Sequence, residues 1–374
     1  MKNQNSFFFF NVDVQNRQFQ ESPNYLEIYS DQELINRFRL NKGAIKFIEE
    51  LIKNSIQIEG NTGRPIDCLT QILITLRYLA SNSHQSVIAD TFNVSQATVS
   101  RSIENVLNGI CEHIDEFIRF PREDEAKATQ QEFYKIAGFL GLVGCIEGTH
   151  IRILAPHTNP TDFINRKNYY SINVQVICDE KLRITYLVAK CPGSAQDSWI
   201  LQQSKVWDAF ETGRFKGILL GDSAYPCKNW MMVPSRIVTQ EHQPAFNRAQ
   251  TRTRVLIEHC FGVWKRRFAI LHGEMRLTHE KAAKAVTACA ILQNIAVKRR
   301  IATPNPLELI SDSQPSNEEF PGSGKENAFS YREAIARNSF TQPAQQIRKS
   351  ATGAHSSSDL PRLQLPNWAR DGTL

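Results

Sequence analysis

The chain has eight cysteines in 374 residues, yet no two of them form a Cys-x-x-Cys pair. Dispersed at positions 68, 111, 145, 178, 191, 227, 260 and 289, they exclude a zinc ribbon and argue against a secreted disulfide framework. A reducing compartment is expected instead. Long apolar runs are also missing: none approaches the ~20 residues of a membrane-spanning helix. The four consecutive phenylalanines, Phe7 to Phe10, are too few for a signal-peptide core. No charge of one sign dominates, since 44 Lys and Arg stand against 38 Asp and Glu for a net +6. The remainder, 41% hydrophobic and 22% charged, is globular in composition. A chain of this length exceeds one ordinary core, so two folded units plus tails are expected, in a soluble intracellular protein with no membrane association.

The modest net charge is unevenly placed. Between Arg248 and Arg300 there are twelve Lys or Arg against three Glu, at 258, 274 and 280. Such an excess reads either as a solvated face or as a surface for a polyanion. Residues 1–29 are polar, amide-rich and expected to be disordered. Ser30-Asp31-Gln32-Glu33 is a capping box opening a helix, and a second helix is expected from Lys42 to about Lys53. Leu69, Ile72, Leu73, Leu76, Leu79 and Ala80 keep helical spacing in a third. With two more helices between Ser86 and Ile110, residues 30–122 form an all-helical unit. From Phe139 the pattern becomes apolar runs of strand length at 139–146, 172–178, 184–189 and 217–221, including a hairpin turned at Asp179-Glu180-Lys181. Helical patterns resume at 197–210, about 247–268 and 279–300. Residues 139–300 thus read as α/β, a mixed sheet flanked by helices. Residues 301–374, rich in Ser, Pro, Gln and Asn, are expected to be mostly disordered.

Within the helical unit, Gln85–Phe92, Asn93-Val94 and Ser95–Arg101 have the plan of a helix-turn-helix. Val87, Ala89, Val94, Val99 and Ile103 would pack the pair together, and Ser95 would cap the second helix. Gln96, Thr98, Ser100 and Arg101 then face outward near its N-terminal end, where base edges are read. A plain helical hairpin is the alternative.

Three carboxylates mark the chemistry. Glu147 ends the apolar run 142–146, Asp222 ends 217–221, and Glu258 falls inside a helical pattern with Arg254 and Lys265 on its face. A carboxylate leaving a buried strand is costly unless paired or bound to metal. Their convergence from two strands and a helix suggests a divalent-cation site for phosphodiester cleavage, because Mg²⁺ prefers hard oxygen ligands. Water activated by Glu147 and Asp222 through one ion would attack phosphorus, and an ion on Glu258 would stabilise the leaving 3′ oxygen. Asp197, after the loop Pro192–Gln196, is a fourth candidate. Three of the four have a plainer reading: a helix N-cap for Asp197, an Asx-turn for Asp222, and an ion pair with Arg254 for Glu258. Arg254, Lys265 and Arg266 are the DNA-contact candidates on that helix.

Gly144–His150, Gly193–Ser198, Gly221–Pro226 and Ile257–Gly262, in this order behind a helix-turn-helix, resemble the DDE domain of PIF/Harbinger-type transposases and the nucleases derived from them. The resemblance spans roughly residues 30 to 300. It implies an RNase H-like fold, a Mg²⁺- or Mn²⁺-dependent nuclease (a hydrolase) acting on DNA, and metal ligands Glu147, Asp197, Asp222 and Glu258. It also implies a nuclear or nucleocytoplasmic protein and a separate Myb-like DNA-binding protein as partner. Glu147 stands where the family has Asp, and Gln196 and Gln293 where it usually has His. A one-methylene displacement of ~1 Å can cost ~10²-fold in rate, so reduced turnover is one expectation. A catalytically inactive DNA-binding or partner-docking protein is the alternative.

Overall fold

A computed structural model describes residues 23–56, 66–303 and 326–340. The first elements are helices: α1 (Tyr25–Ile28), α2 (Asp31–Phe38), α3 (Lys42–Ile52), α4 (Cys68–Ser81), α5 (Gln85–Phe92), α6 (Gln96–Cys111), α7 (Ile114–Phe117) and α8 (Glu123–Ala137). The capping box at α2 is present, with Glu33 Oε2 accepting from the Ser30 amide at 3.0 Å. Helix α4 is buried almost all round, Ile74 and Tyr78 included, because α2, α3, α5 and α6 all pack against it. Asn93 adopts the left-handed conformation that lets α5 turn sharply into α6, and Ser95 Oγ accepts from the Thr98 amide at 3.1 Å. One expected packing residue fails: Val87 is 51% exposed, while Ala89, Val99 and Ile103 are buried and Val94 packs at the margin.

Five strands follow in the order β3-β2-β1-β4-β5. Strands β1 (Leu142–Arg152), β2 (Ser171–Cys178) and β3 (Ile184–Pro192) form an antiparallel meander. The expected hairpin is therefore present, closed through Asp179, whose carboxylate accepts from the Lys181 and Arg183 amides at 2.9 Å. Helices α9 (Asp197–Gln202) and α10 (Lys205–Glu211) come next, where one helix was expected; Ser204 divides them by capping α10. Strands β4 (Ile218–Leu220) and β5 (Met231–Met232) extend the sheet in parallel with β1. Helices α11 (Gln243–Arg267), α12 (His279–Lys298) and α13 (Glu326–Phe340) complete the described chain.

Several expectations need correction. Glu147 does not end its strand: β1 continues to Arg152 because its polar second half pairs with β2 from Glu147↔Val176 to Arg152↔Ser171. Helix α8 fills 123–137, which no apolar stripe announced, since only Thr129 and Phe133 are buried in it. The tail expected to be mostly disordered contains α13, whose Phe340 meets Phe139 and Phe246 and whose Glu333 bonds His242 and Gln243. The N-terminal segment expected to be disordered includes α1, with Leu26 buried; its residues 1–22 lie outside the described part. Nor do two cores separate at residue 122. One apolar cluster runs from Leu26 through α4, α6, the sheet, α11 and α12 to Ala336, and a smaller one lies on the other sheet face under α9 and α10.

Candidate active site

Strand β1 outruns β4. Their pairing stops at Cys145↔Leu220, so the β4-facing edge of β1 is left open from Ile146 onward. Glu147 stands at that opening and Asp222 emerges two residues after β4. Gly148 follows, and its lack of a side chain has a use: a Cβ there would fall 2.5 Å from Asp197 Cγ. Asp197, at the start of α9, is held by Asn173 Nδ2, which donates to its Oδ1 at 2.7 Å. Gln175 Nε2 donates to the Asp197 carbonyl at 2.8 Å and to Tyr225 Oη at 3.1 Å.

The electrostatics show that these groups act on one another. Burial first, then Asp222, and to a smaller extent Asp197, push Glu147 up to about 8 despite the opposing pull of Arg254. Tyr225 is raised well above its ordinary value by burial and then by Asp197, Glu147 and Asp222. Glu147 therefore sits in a poorly solvated centre beside Asp222 and Asp197, and both disfavour its ionisation.

Glu258 joins this centre through an intermediary. Arg254 on α11 donates to Glu147 Oε2 at 2.6 Å and reaches Glu258 Oε1 at 2.9 Å. The ion-pair reading of Glu258 is thus present in the structure. So is the Asx-turn at Asp222, whose Oδ1 accepts from the Ala224 amide at 2.9 Å. Among the described residues, no three His, Cys, Asp or Glu side chains stand close enough to hold an ion as they are placed. The donor chemistry nevertheless suits a hard divalent cation. Carboxylate and amide oxygens are hard donors, and the buried Asn173 Oδ1 beside Asp197 has no hydrogen-bond partner.

The DNA-contact candidates scatter. Gln96 and Arg101 are exposed on α6, with Ser100 half-buried and Thr98 turned toward Ser95 Oγ at 2.9 Å. Arg254 is committed to the carboxylates, and Arg266 Nε donates to its own helix at the Gly262 carbonyl, 3.0 Å away. Lys265 lies near enough to His150 to depress its pKa. On α11 the buried stripe is Phe246, Gln250, Thr253, Ile257, Cys260, Trp264 and Arg267, with Leu256 and Val263 only half-buried. Gln293 is remote from the carboxylates: its Oε1 accepts from Arg267 Nε at 2.8 Å, at the far end of α11. Gln196 is exposed immediately before Asp197.

Sequence reasoning missed Asn173, Gln175 and Tyr225. The first two carried a signal, since they alternate with Ile172, Val174 and Val176 in an otherwise apolar strand. A period-two polar pair in a strand buried along its whole length needs polar partners.

Mixed sheet, flanking helices and a carboxylate centre at a strand opening define a nuclease-like domain, and the comparisons agree. Residues 146–294 match the family described as DDE superfamily endonuclease. The chain is 32% identical over 278 residues to the protein named "Putative nuclease HARBI1" of Bos taurus, covering 73% of this chain and 80% of that one. The same-named human protein is 31% identical over the same shares. "Protein ALP1-like" of Arabidopsis thaliana is 24% identical, covering 70% of this chain and 69% of its own length. No solved structure matches. The chain belongs to the Harbinger transposase-derived nuclease family of the DDE superfamily.

Proposed function

We propose that this protein is a metal-dependent DNA endonuclease that hydrolyses phosphodiester bonds at Glu147, Asp222 and Glu258, with Asp197 as a further ligand. One observation carries the reading: burial, reinforced by the nearby Asp222 and then Asp197, raises Glu147 to about 8. Such crowding is costly unless a cation relieves it. Mg²⁺ or Mn²⁺, when bound, would supply an activated water and charge stabilisation for the leaving oxygen. The chain's own part is positioning. Asn173 and Gln175 orient Asp197 and Tyr225, the Gly148 gap admits the Asp197 carboxylate, and Arg254 holds Glu147 and Glu258 in reach of one another. A three-strand meander extended by two parallel strands, in a chain of this superfamily, supports an RNase H-like fold. The sharp α5–α6 turn and the exposed Gln96 and Arg101 support a DNA-reading helix-turn-helix. The reading carries with it work in the nucleus, a cytoplasmic pool and a Myb-like partner. Plasmid nicking with Mg²⁺ or Mn²⁺ tests it: wild type should nick and Asp222→Ala should not, and equal nicking by both would remove this centre as catalyst.

One observation favours a second reading, a DNA-binding or partner-docking protein without turnover. Arg254 already supplies a cation to Glu147 and Glu258. If this reading holds, neither wild type nor Glu147→Asp will nick, while both bind duplex DNA.

A further inference from the structure

Three cationic side chains gather around His150. Arg166 and Lys167 lie exposed in the connection between β1 and β2, and Lys265 lies on α11. Burial first, then Arg166, Lys265 and Lys167, bring His150 down to about 4, so the ring is neutral at physiological pH.

The connection that carries Arg166 and Lys167 is internally braced. Asn165 is buried, and its Oδ1 accepts from the amides of Lys167 at 2.9 Å and Tyr169 at 3.4 Å. Its Nδ2 donates to Ser171 Oγ at 3.0 Å, and that hydroxyl lies 3.0 Å from His150 Nδ1. With Asn165 donating to the oxygen, the hydroxyl proton serves Nδ1, and a neutral ring then carries its own proton on Nε2. The buried Asn165–Ser171–His150 chain therefore fixes both the loop and an imidazole N–H donor.

The cluster's position follows from element geometry. His150 is three residues beyond Glu147 on β1, so its side chain lies on the opposite face, the one Gly148 turns toward Asp197. There it pairs across the sheet with Asn173, which holds Asp197, so the cluster borders the carboxylate centre. Lys265 is seven residues beyond Glu258 on α11, roughly 10 Å at the helix rise.

We propose that His150, Arg166, Lys167 and Lys265 form a phosphate-binding cradle that grips the DNA backbone beside the scissile bond. It rests on the nuclease reading above, because the carboxylates repel phosphate and the substrate needs cations beside them. Cradle contacts carry no base information, so they should act equally on all sequences.

The test measures duplex binding by the full chain between 50 and 200 mM salt. Arg166→Ala/Lys167→Ala should weaken binding about tenfold or more and lower the salt slope by about two. Lys265→Ala, on a different element, should lower the slope by about one further unit. Arg214→Ala/Lys216→Ala removes the same charge at exposed positions before the opposite end of β4, and should leave the slope unchanged. Unchanged affinity and slope in the Arg166/Lys167 variant, beside a wild type that binds and nicks, would overturn the cradle and leave the nuclease reading standing. Equal losses in both paired variants would reduce the effect to bulk charge and overturn it as well. A wild type without salt-dependent binding would sink both readings.

Discussion

Arg254 places one guanidinium nitrogen 2.6 Å from Glu147 Oε2, across a sequence separation of 107 residues. Its other terminal nitrogen lies 2.9 Å from Glu258. A single cation from α11 thus ties together two of the three carboxylates proposed as catalytic. The pair is only partly exposed, at 22% and 17%, so its loss should matter more than that of a surface ion pair.

Above pH 8, where Glu147 is ionised, replacing Arg254 by Gln should destabilise the metal-free protein by roughly 1–3 kcal/mol, between the exposed and fully buried limits for a broken ion pair. Mn²⁺ should then raise the melting temperature more in the variant than in wild type, because the carboxylates have lost their internal cation. Thermal melts with EDTA and with Mn²⁺ measure both effects, and identical metal-induced shifts would show that Arg254 does not compete for this centre.

The pH dependence of stability has a definite sign. Folded Glu147 keeps its proton to about pH 8, whereas the unfolded group releases it near 4.5. Between those values the folded state binds more protons, so stability falls as pH rises and levels off above 8. His150 acts oppositely at lower pH: its folded pKa is about 4 against 6.5 unfolded, so its contribution is lost as pH falls from 6.5 toward 4. From pH 6.5 to 8 the Glu147 effect stands clear of it. Metal-free wild type should melt progressively lower across that window, and Glu147→Gln should not.

Gly148→Ala should abolish most activity without unfolding the chain. The added methyl would sit 2.5 Å from Asp197 Cγ and force that carboxylate out of the centre. Displacements of this size cost about 10²-fold or more in rate. Nicking rates and circular dichroism together separate misplacement from unfolding.

Gln293→Leu should do the reverse, lowering stability while sparing the chemistry. It removes the acceptor for Arg267 Nε, a guanidinium 1% exposed that otherwise bonds the carbonyls of Arg39, Ile301 and Ala302. Leaving that donor unpaired costs roughly 2–3 kcal/mol. Arg267 is thirteen residues from Arg254 along α11, about 20 Å by helix rise, so nicking by folded protein should be unchanged. A lost rate at full stability would return Gln293 to the site.

Arg101→Ala should weaken duplex binding about fivefold or more and relax sequence preference, since Arg101 is exposed on the first turns of α6. Binding and salt slope equal to wild type would take α6 out of the DNA interface.

The strongly patterned elements were legible beforehand. Helices α2 to α6 announced themselves through caps and apolar spacing, and β2 and β3 through buried runs around an Asp-centred turn. The second half of β1 and helix α8 were not, because both are largely polar and held by partners far away in sequence. The candidate carboxylates could be named from the sequence, but their surroundings could not. Asn173, Gln175 and Arg254 acquire their roles only once β2 and α11 lie beside β1.

The amino-acid order alone determined which side chains offer hard oxygen donors and which family this chain joins, because motif spacing and local periodicity reside in the chain itself. Only the tertiary structure decided that Glu258 reaches the centre through Arg254, that Gln293 serves the core, and that cations from a loop and a helix converge on His150. The physical reason is that charges and hydrogen bonds act over a few ångströms of space, and those few ångströms are set by packing between elements distant in sequence.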